Sequence, residues 1–229
     1  LLRDIWEARN DYINVILTPT RERRDDFLAR HAKHALTTQE RVCCFKLLEA
    51  QRMTQLMYAS CGWFFDDIAG LEAVQILKYA ARCIELVESV SGQSIGPKFI
   101  ETLGQARSNV ASEGTGAEVF RRHVLPCELT NRARIAQQAS RRLFEHAPDL
   151  EADDAYKLET LSNERFTRGT FALVIGRSRL TRERTEQSQE LTWGAASLTD
   201  RDMHCGVVES TNGQVYEGLM ASARQVFER

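Results

Sequence analysis

The most informative absences in this sequence concern membranes and charge. No apolar run approaches the about 20 residues that a membrane-spanning helix needs, and no segment resembles a signal peptide. The formal net charge of the 229 residues is only −2, so no overall electric field favours nucleic acid or an anionic membrane as a partner. We therefore expect a cytoplasmic protein that binds neither.

Motifs of disulfide, metal and nucleophile chemistry are also absent. The adjacent Cys43 and Cys44 fit neither a disulfide framework nor CxxC metal spacing, so we interpret the six scattered cysteines as reduced, buried thiols. His31 and His34, three residues apart, could ligate a metal, but a solvated helix face is the favoured interpretation. No serine lies in a nucleophile elbow, and no glycine-rich loop follows a strand. We expect no metal, no cofactor and no catalytic residue in this chain.

The first part of the chain carries apolar residues at helical spacing. Thr20 is placed to cap one helix, and Thr37 with Glu40 has the spacing of a capping box for the next. Two long helices, one on each side of an aromatic segment, are apolar around much of their circumference, which predicts a helical hairpin in the middle of a bundle. The expected helices cover about residues 1–17, 20–33, 38–61, 68–90, 98–106, 117–125 and 129–146.

The pattern changes to strands near Asp153. Alternating or β-rich segments separated by polar turns predict three or four antiparallel strands, followed by a last helix from about Thr211 to Val215 onward. The expected strands are Tyr156–Thr160, Thr170–Arg182, Gln189–Leu198 and His204–Glu209. The fold class predicted is α+β, mainly α: a helical bundle (1–150) followed by a small antiparallel sheet with a terminal helix (151–229). Because the chain begins without Met and ends inside a helical pattern, we expect it to be a piece of a longer protein.

The candidate site is the segment Leu56–Gly70, where Trp63-Phe64-Phe65 precede two carboxylates, Asp66 and Asp67. Core packing at a helix junction is one interpretation of the aromatics. The other is a platform for a flat ligand such as a sugar ring, whose hydroxyls would need carboxylates as acceptors. Capping of the following helix is the alternative for at least one of the aspartates.

Arginines give the strand region a locally basic character, and Arg177 and Arg179 are expected to share one face of a strand. An exposed sheet face or edge is the favoured interpretation. An anionic partner is the functional alternative.

The segment from Gln51-Arg52 through Ser60-Cys61-Gly62-Trp63-Phe64-Phe65-Asp66 and on to Arg82 closely resembles an uncharacterised C-terminal domain. That domain follows a glycoside hydrolase family 57-type (α-amylase-like) barrel in bacterial and archaeal proteins. Supporting pieces are Ala8–Ile13, Ser108-Asn109 and Leu173–Arg177, so the resemblance extends over nearly the whole chain. It implies a parent whose catalytic carboxylates lie on an N-terminal barrel and whose helical region lends aromatics to the substrate cleft.

Three functional hypotheses follow. The first is an accessory domain of an α-glucan-active hydrolase or glucanotransferase, inactive alone, whose partners are the barrel of the same polypeptide and an α-glucan or oligosaccharide. The second is a purely structural or interaction domain without substrate contact. A self-contained enzyme using Asp66, Asp67 or Glu72 with Arg52 is the least favoured, because no full catalytic set can be assembled from spacing. The candidate substrate-binding residues are Trp63, Phe64, Asp66, Asp67, Tyr58 and Arg52.

Overall fold

The computed structural model divides the chain into two compact units, Leu1–Glu128 and Leu129–Arg229, and each is described by itself. The boundary expected at residue 150 lies outside the described residues, so the division into domains 1–150 and 151–229 stays a prediction. The residues that the structure describes are 1–127, 130–144, 155–199, 202–209 and 213–227.

The first unit is built from helices. Its α-helices are α1 (Ile5–Asp11), α2 (Ile13–Leu17), α3 (Arg21–His31), α4 (Thr38–Leu56), α5 (Cys61–Phe64), α6 (Leu71–Ser91), α7 (Gly96–Leu103) and α8 (Gly116–Val119). A π-helical turn (Phe120–Val124) and a 3₁₀ turn (Leu125–Cys127) follow α8.

Side-chain caps start α3 and α4 where the sequence predicts them. The Thr20 hydroxyl accepts from the Arg23 amide, and Thr37 forms a reciprocal capping box with Glu40. Each cap satisfies backbone N–H groups that have no partner inside the helix. Both predicted caps are confirmed.

The predicted helical hairpin is also present, since α4 packs against α6. Its connection is longer than expected, because α4 ends at Leu56 rather than near Gly62, and α6 begins at Leu71. Gly92 ends α6 in the left-handed conformation (φ 70°) that glycine adopts without a steric cost. The wider gap leaves room for the separate helical turn α5 and for the aromatic residues around it.

The second unit is an antiparallel four-stranded sheet with two helices. Helix α9 (Asn131–Arg142) precedes the strands, whose spatial order β1-β2-β3-β4 follows the chain, and α10 (Gln214–Phe227) follows them. The strands are β1 (Tyr156–Arg168), β2 (Phe171–Arg182), β3 (Gln187–Ser197) and β4 (His204–Glu209).

Each face of the sheet carries a different helix. Residues of α9, such as Ile135, share a core with Trp193 and other residues of the strands. Residues of α10, such as Met220, share a second core with Phe166 and Ile175. The alternation of strand side chains between two faces makes both cores possible. The structure thus confirms an α+β, mainly α fold, and no helix among the described residues has the length and apolar character to cross a membrane.

Candidate functional site

The aromatic turn, residues 58–67, connects α4 to α6 and places its large side chains at the surface. The exposed fractions are 79% for Tyr58, 72% for Trp63, 75% for Phe64 and 54% for Phe65. The last two rings contact each other edge to face, with 5.4 Å between centroids. The interpretation of this aromatic run as core therefore does not hold within this chain. Exposed aromatics at such density are typical of a surface that another molecule covers.

Helix α5 holds these aromatics through its backbone and one glycine contact. The amides of Trp63 and Phe64 donate to the Ser60 carbonyl at 3.2 and 3.0 Å. A Cβ at Gly62 would stand 2.1 Å from Cγ1 of Ile76 in α6, far inside the normal separation of carbon atoms. A larger residue at position 62 would force α5 or the Ile76 side chain to move, so Gly62 helps to fix the backbone of the aromatic turn against α6.

Asp67 ties the turn to a loop that lies 41 residues further along the chain. Its carboxylate accepts from the Ala69 amide at 2.6 Å, the Asn109 amide at 2.6 Å and the Ser108 hydroxyl at 2.9 and 3.0 Å. The Ala69 amide first, and then the Asn109 amide and the Ser108 hydroxyl, hold the pKa of the Asp67 carboxyl below its ordinary value, against the effect of burial. Asp67 therefore anchors the turn. Its expected role in substrate binding stays a prediction that these contacts do not favour.

Asp66 differs from its neighbour in that its carboxylate is exposed and makes no hydrogen bond within the described part of the chain. Only its backbone carbonyl is engaged, by the Asn109 side-chain amide at 2.6 Å. Neither aspartate caps α6, because the N-cap residue is Gly70. The capping interpretation is therefore wrong, and Asp66 is the carboxylate of the pair that is available to a ligand.

The loop bound by Asp67 is itself held at its other end. The Glu113 carboxylate accepts from Nε2 of His123 at 2.8 Å and from the Arg122 guanidinium at 2.9 Å. These contacts, His123 foremost, lower the pKa of Glu113. Val110, between the two anchors, is half exposed. The aromatic turn and the loop 108–113 therefore form one braced surface, although the sequence predicts the second segment only as a loop.

Arg52, the remaining candidate, forms an ion pair with another residue of α4. Its guanidinium donates to the buried Glu49 carboxylate at 3.2 Å, and the Tyr12 hydroxyl donates to the same carboxylate at 2.8 Å. Arg52 also lines a small cavity whose other lining residues come from Arg9–Ile16 and from α4. None of these residues belongs to the aromatic turn, so the structure places Arg52 in a separate polar cluster. Its expected role in substrate binding stays a prediction.

Several arginines of the strand region bond groups within the second unit, and two of them pair with acidic residues. Arg177 and Arg179 share a face of β2, as predicted, and both bond Glu190, at 2.9 and 2.6 Å. Arg179 also pairs with Glu159 at 3.3 Å. Arg165 donates to the Leu143 carbonyl, beyond the C-terminus of α9. These contacts favour a structural role for the arginines over an anionic partner.

The chain is thus α+β, mainly α, and carries an exposed aromatic surface on its helical unit. Among the described residues, no group of three or more His, Cys, Asp or Glu side chains has metal-binding geometry. The chain belongs to the family described as a domain of unknown function (DUF3536), whose model matches residues 1–229. This confirms the resemblance to an uncharacterised domain, and the link to a family 57-type barrel stays a prediction. No curated protein and no solved structure matches the chain.

Proposed function

We propose that this chain is the C-terminal accessory domain of an α-glucan-active glycoside hydrolase or glucanotransferase. In this proposal it packs on an N-terminal catalytic barrel of the same polypeptide and lends the aromatic turn to the sugar cleft. The exposure of Tyr58, Trp63, Phe64 and Phe65 on a braced turn is the observation that carries the proposal.

Covering the exposed rings of the turn would lower the free energy of a complex. Covering one large apolar side chain stabilises a complex by about 1.5–3 kcal/mol. The two anchors, Gly62 and Asp67, reduce the backbone entropy that is lost when the turn is covered. A sugar ring offers an apolar face to Trp63 or Phe64 and hydroxyls to the free carboxylate of Asp66. The turn therefore has both halves of the chemistry that binds a glycan.

The chain contributes binding rather than bond cleavage in this proposal. Cleavage of a glycosidic bond needs two carboxyl groups on opposite sides of the bond, one of them able to donate a proton. Asp66 and Asp67 are adjacent, and the pKa of the Asp67 carboxyl lies below its ordinary value, which is the wrong direction for a proton donor. The catalytic pair is accordingly assigned to the barrel.

A second candidate function is a purely structural contact between this turn and the rest of the polypeptide. The exposure of Leu71, at 80%, and the half-exposed Val110 favour it, because they extend the patch with aliphatic groups that hydrogen-bond no sugar. In that case the aromatic turn is covered whether or not a glycan is bound.

Reducing-sugar release from α-glucans by the full-length polypeptide tests the proposal. Trp63→Ala should lower turnover by about tenfold or more, the equivalent of one lost stacking contact. Phe144→Ala is the matched control, since Phe144 is also an exposed aromatic but lies in the second unit. Equal activity of wild type and a folded Trp63→Ala variant would refute a role of the turn in the cleft. Turnover by the isolated chain would refute the assignment of catalysis to the barrel.

A further inference from the structure

A small cavity in the first unit has a chemical character distinct from the aromatic turn. We call it the arginine cavity. Its volume is about 200 Å³, below the about 300–1,000 Å³ of pockets for drug-sized ligands, so it suits a molecule of monosaccharide size or smaller. Its polar lining includes Arg9 and Asn10 on one side and Gln51, Arg52 and Gln55 of α4 on the other.

The charge of the arginine cavity is positive. The buried Glu49 beside it bonds both the Tyr12 hydroxyl and the Arg52 guanidinium, so Glu49 compensates Arg52. Arg9 has no carboxylate partner in the described part of the chain, because its guanidinium bonds the neutral side chain of Asn10. One positive charge is therefore uncompensated at a concave site, in a chain whose net charge is −2.

The guanidinium of Arg9 contacts two neighbouring side chains, Asn10 and Trp6. Its Nε and Nη2 donate to Asn10 Oδ1 at 3.1 and 2.7 Å, and its central carbon lies 4.9 Å from the centre of the Trp6 ring. Nη1 makes no hydrogen bond within the described residues. A guanidinium with free donors matches the planar geometry of a carboxylate or phosphate oxygen pair.

The other residues that line the cavity favour a small organic molecule over a bare ion. Gln51 and Gln55, one helical turn apart on α4, make no side-chain hydrogen bond within the described residues, so each offers a donor and an acceptor. Ile13, Ile16 and Leu48 add an apolar wall. Charge, polar groups and apolar surface thus converge on one concave, half-open site, which is the usual composition of a small-molecule site.

We propose that the arginine cavity binds a small organic anion, a carboxylate or a phosphate ester. Its anionic group bonds the Arg9 guanidinium, and its hydroxyl or carbonyl groups bond the amides of Gln51 and Gln55. The site does not depend on the function proposed for the aromatic turn.

Isothermal titration calorimetry of the 229-residue chain at low ionic strength tests this proposal. The probes are glucose 6-phosphate, malate, inorganic phosphate and neutral glucose, each up to about 10 mM, which detects dissociation constants in the millimolar range. We expect saturable binding of at least one of the two organic anions, and the one that binds assigns the anionic group as phosphate ester or carboxylate. Absence of binding by both, or equal binding of glucose or of inorganic phosphate, would overturn the proposal.

Three variants locate the binding. Arg9→Gln should weaken it by about 10- to 100-fold, because a charge-assisted hydrogen bond is lost. Gln55→Ala changes one exposed side chain and should weaken it by about threefold or more. Arg21→Gln removes the same charge from an exposed position of α3 outside the cavity and should leave the affinity unchanged. Binding that Arg9→Gln and Gln55→Ala both leave intact would place the anion elsewhere and contradict the proposal.

Discussion

The contact between Gly62 and Ile76 predicts that the effect of Gly62→Ala on stability depends on the residue at position 76. In Gly62→Ala, the new Cβ would stand 2.1 Å from Ile76 Cγ1, which forces α5 away from α6. Such overpacking costs about 1–3 kcal/mol. The higher helix propensity of alanine offsets about 0.5–1 kcal/mol of this, so the net destabilisation expected is about 0–2.5 kcal/mol.

The same substitution in an Ile76→Ala background meets no Cγ1. Only the Cβ of residue 76 then remains near, at 3.1 Å, a tight contact that a small shift relieves, so most of the cost of Gly62→Ala should disappear. The double-mutant cycle should therefore give a coupling free energy of about 1–3 kcal/mol.

Urea unfolding of the four proteins in the cycle, followed by circular dichroism, measures this coupling from the midpoints and slopes. Hydroxyl-radical labelling of Trp63 in the single variant reports whether the aromatic turn has moved. The two single substitutions each change the free energy of unfolding. If these two changes add up to the change in the double variant within about 0.5 kcal/mol, the two residues do not constrain each other. In that case Gly62 does not fix the aromatic turn.

Two further predictions concern the anchor of the turn and the core of the sheet. Because the pKa of the Asp67 carboxyl is lower in the folded chain, the stability it contributes is present above about pH 4 and is lost as the pH falls through the folded pKa. The protection of the Asn109 amide, that is its exchange rate relative to the intrinsic rate at the same pH, should therefore fall in acid in the wild type and be low at every pH in Asp67→Asn. Protection that does not change with pH in the wild type would refute the anchor. Gly176→Ala would place a Cβ 2.3 Å from the fully buried Trp193 and should cost about 1–3 kcal/mol, measured as a lower thermal midpoint; an unchanged midpoint would refute the close contact.

Much of the fold could be predicted because its signals are local. The change from helical to alternating spacing near Asp153 separates helices from strands, and Thr20 and Thr37 mark helix starts by bonding residues three positions away. Strand β1, in contrast, extends to Arg168, eight residues beyond its predicted end. The segment 161–168 is rich in polar residues, and its pairing with β2 maintains it as a strand.

The candidate site could be predicted only in part, because its geometry depends on distant contacts. The aromatic run marks the turn, but its exposure depends on what packs nearby, which local sequence does not contain. The partners of Asp67 are Ser108 and Asn109, 41 and 42 residues away, so their pairing leaves no periodic signal. Arg52 lies close to the turn in sequence, yet its contacts are with Glu49 and the small cavity.

Residue-level hydroxyl-radical footprinting of the full-length polypeptide, with and without an α-glucan oligosaccharide, tests whether the aromatic turn lines a sugar cleft. We expect Trp63 and Phe64 to be oxidised rapidly in the isolated chain, where they are exposed, and the oligosaccharide to protect them in the full-length protein. Phe144 serves as the internal reference, and the oligosaccharide should not change its oxidation. Oxidation of Trp63 that the oligosaccharide leaves unchanged would contradict the claim that the aromatic turn lines the sugar cleft.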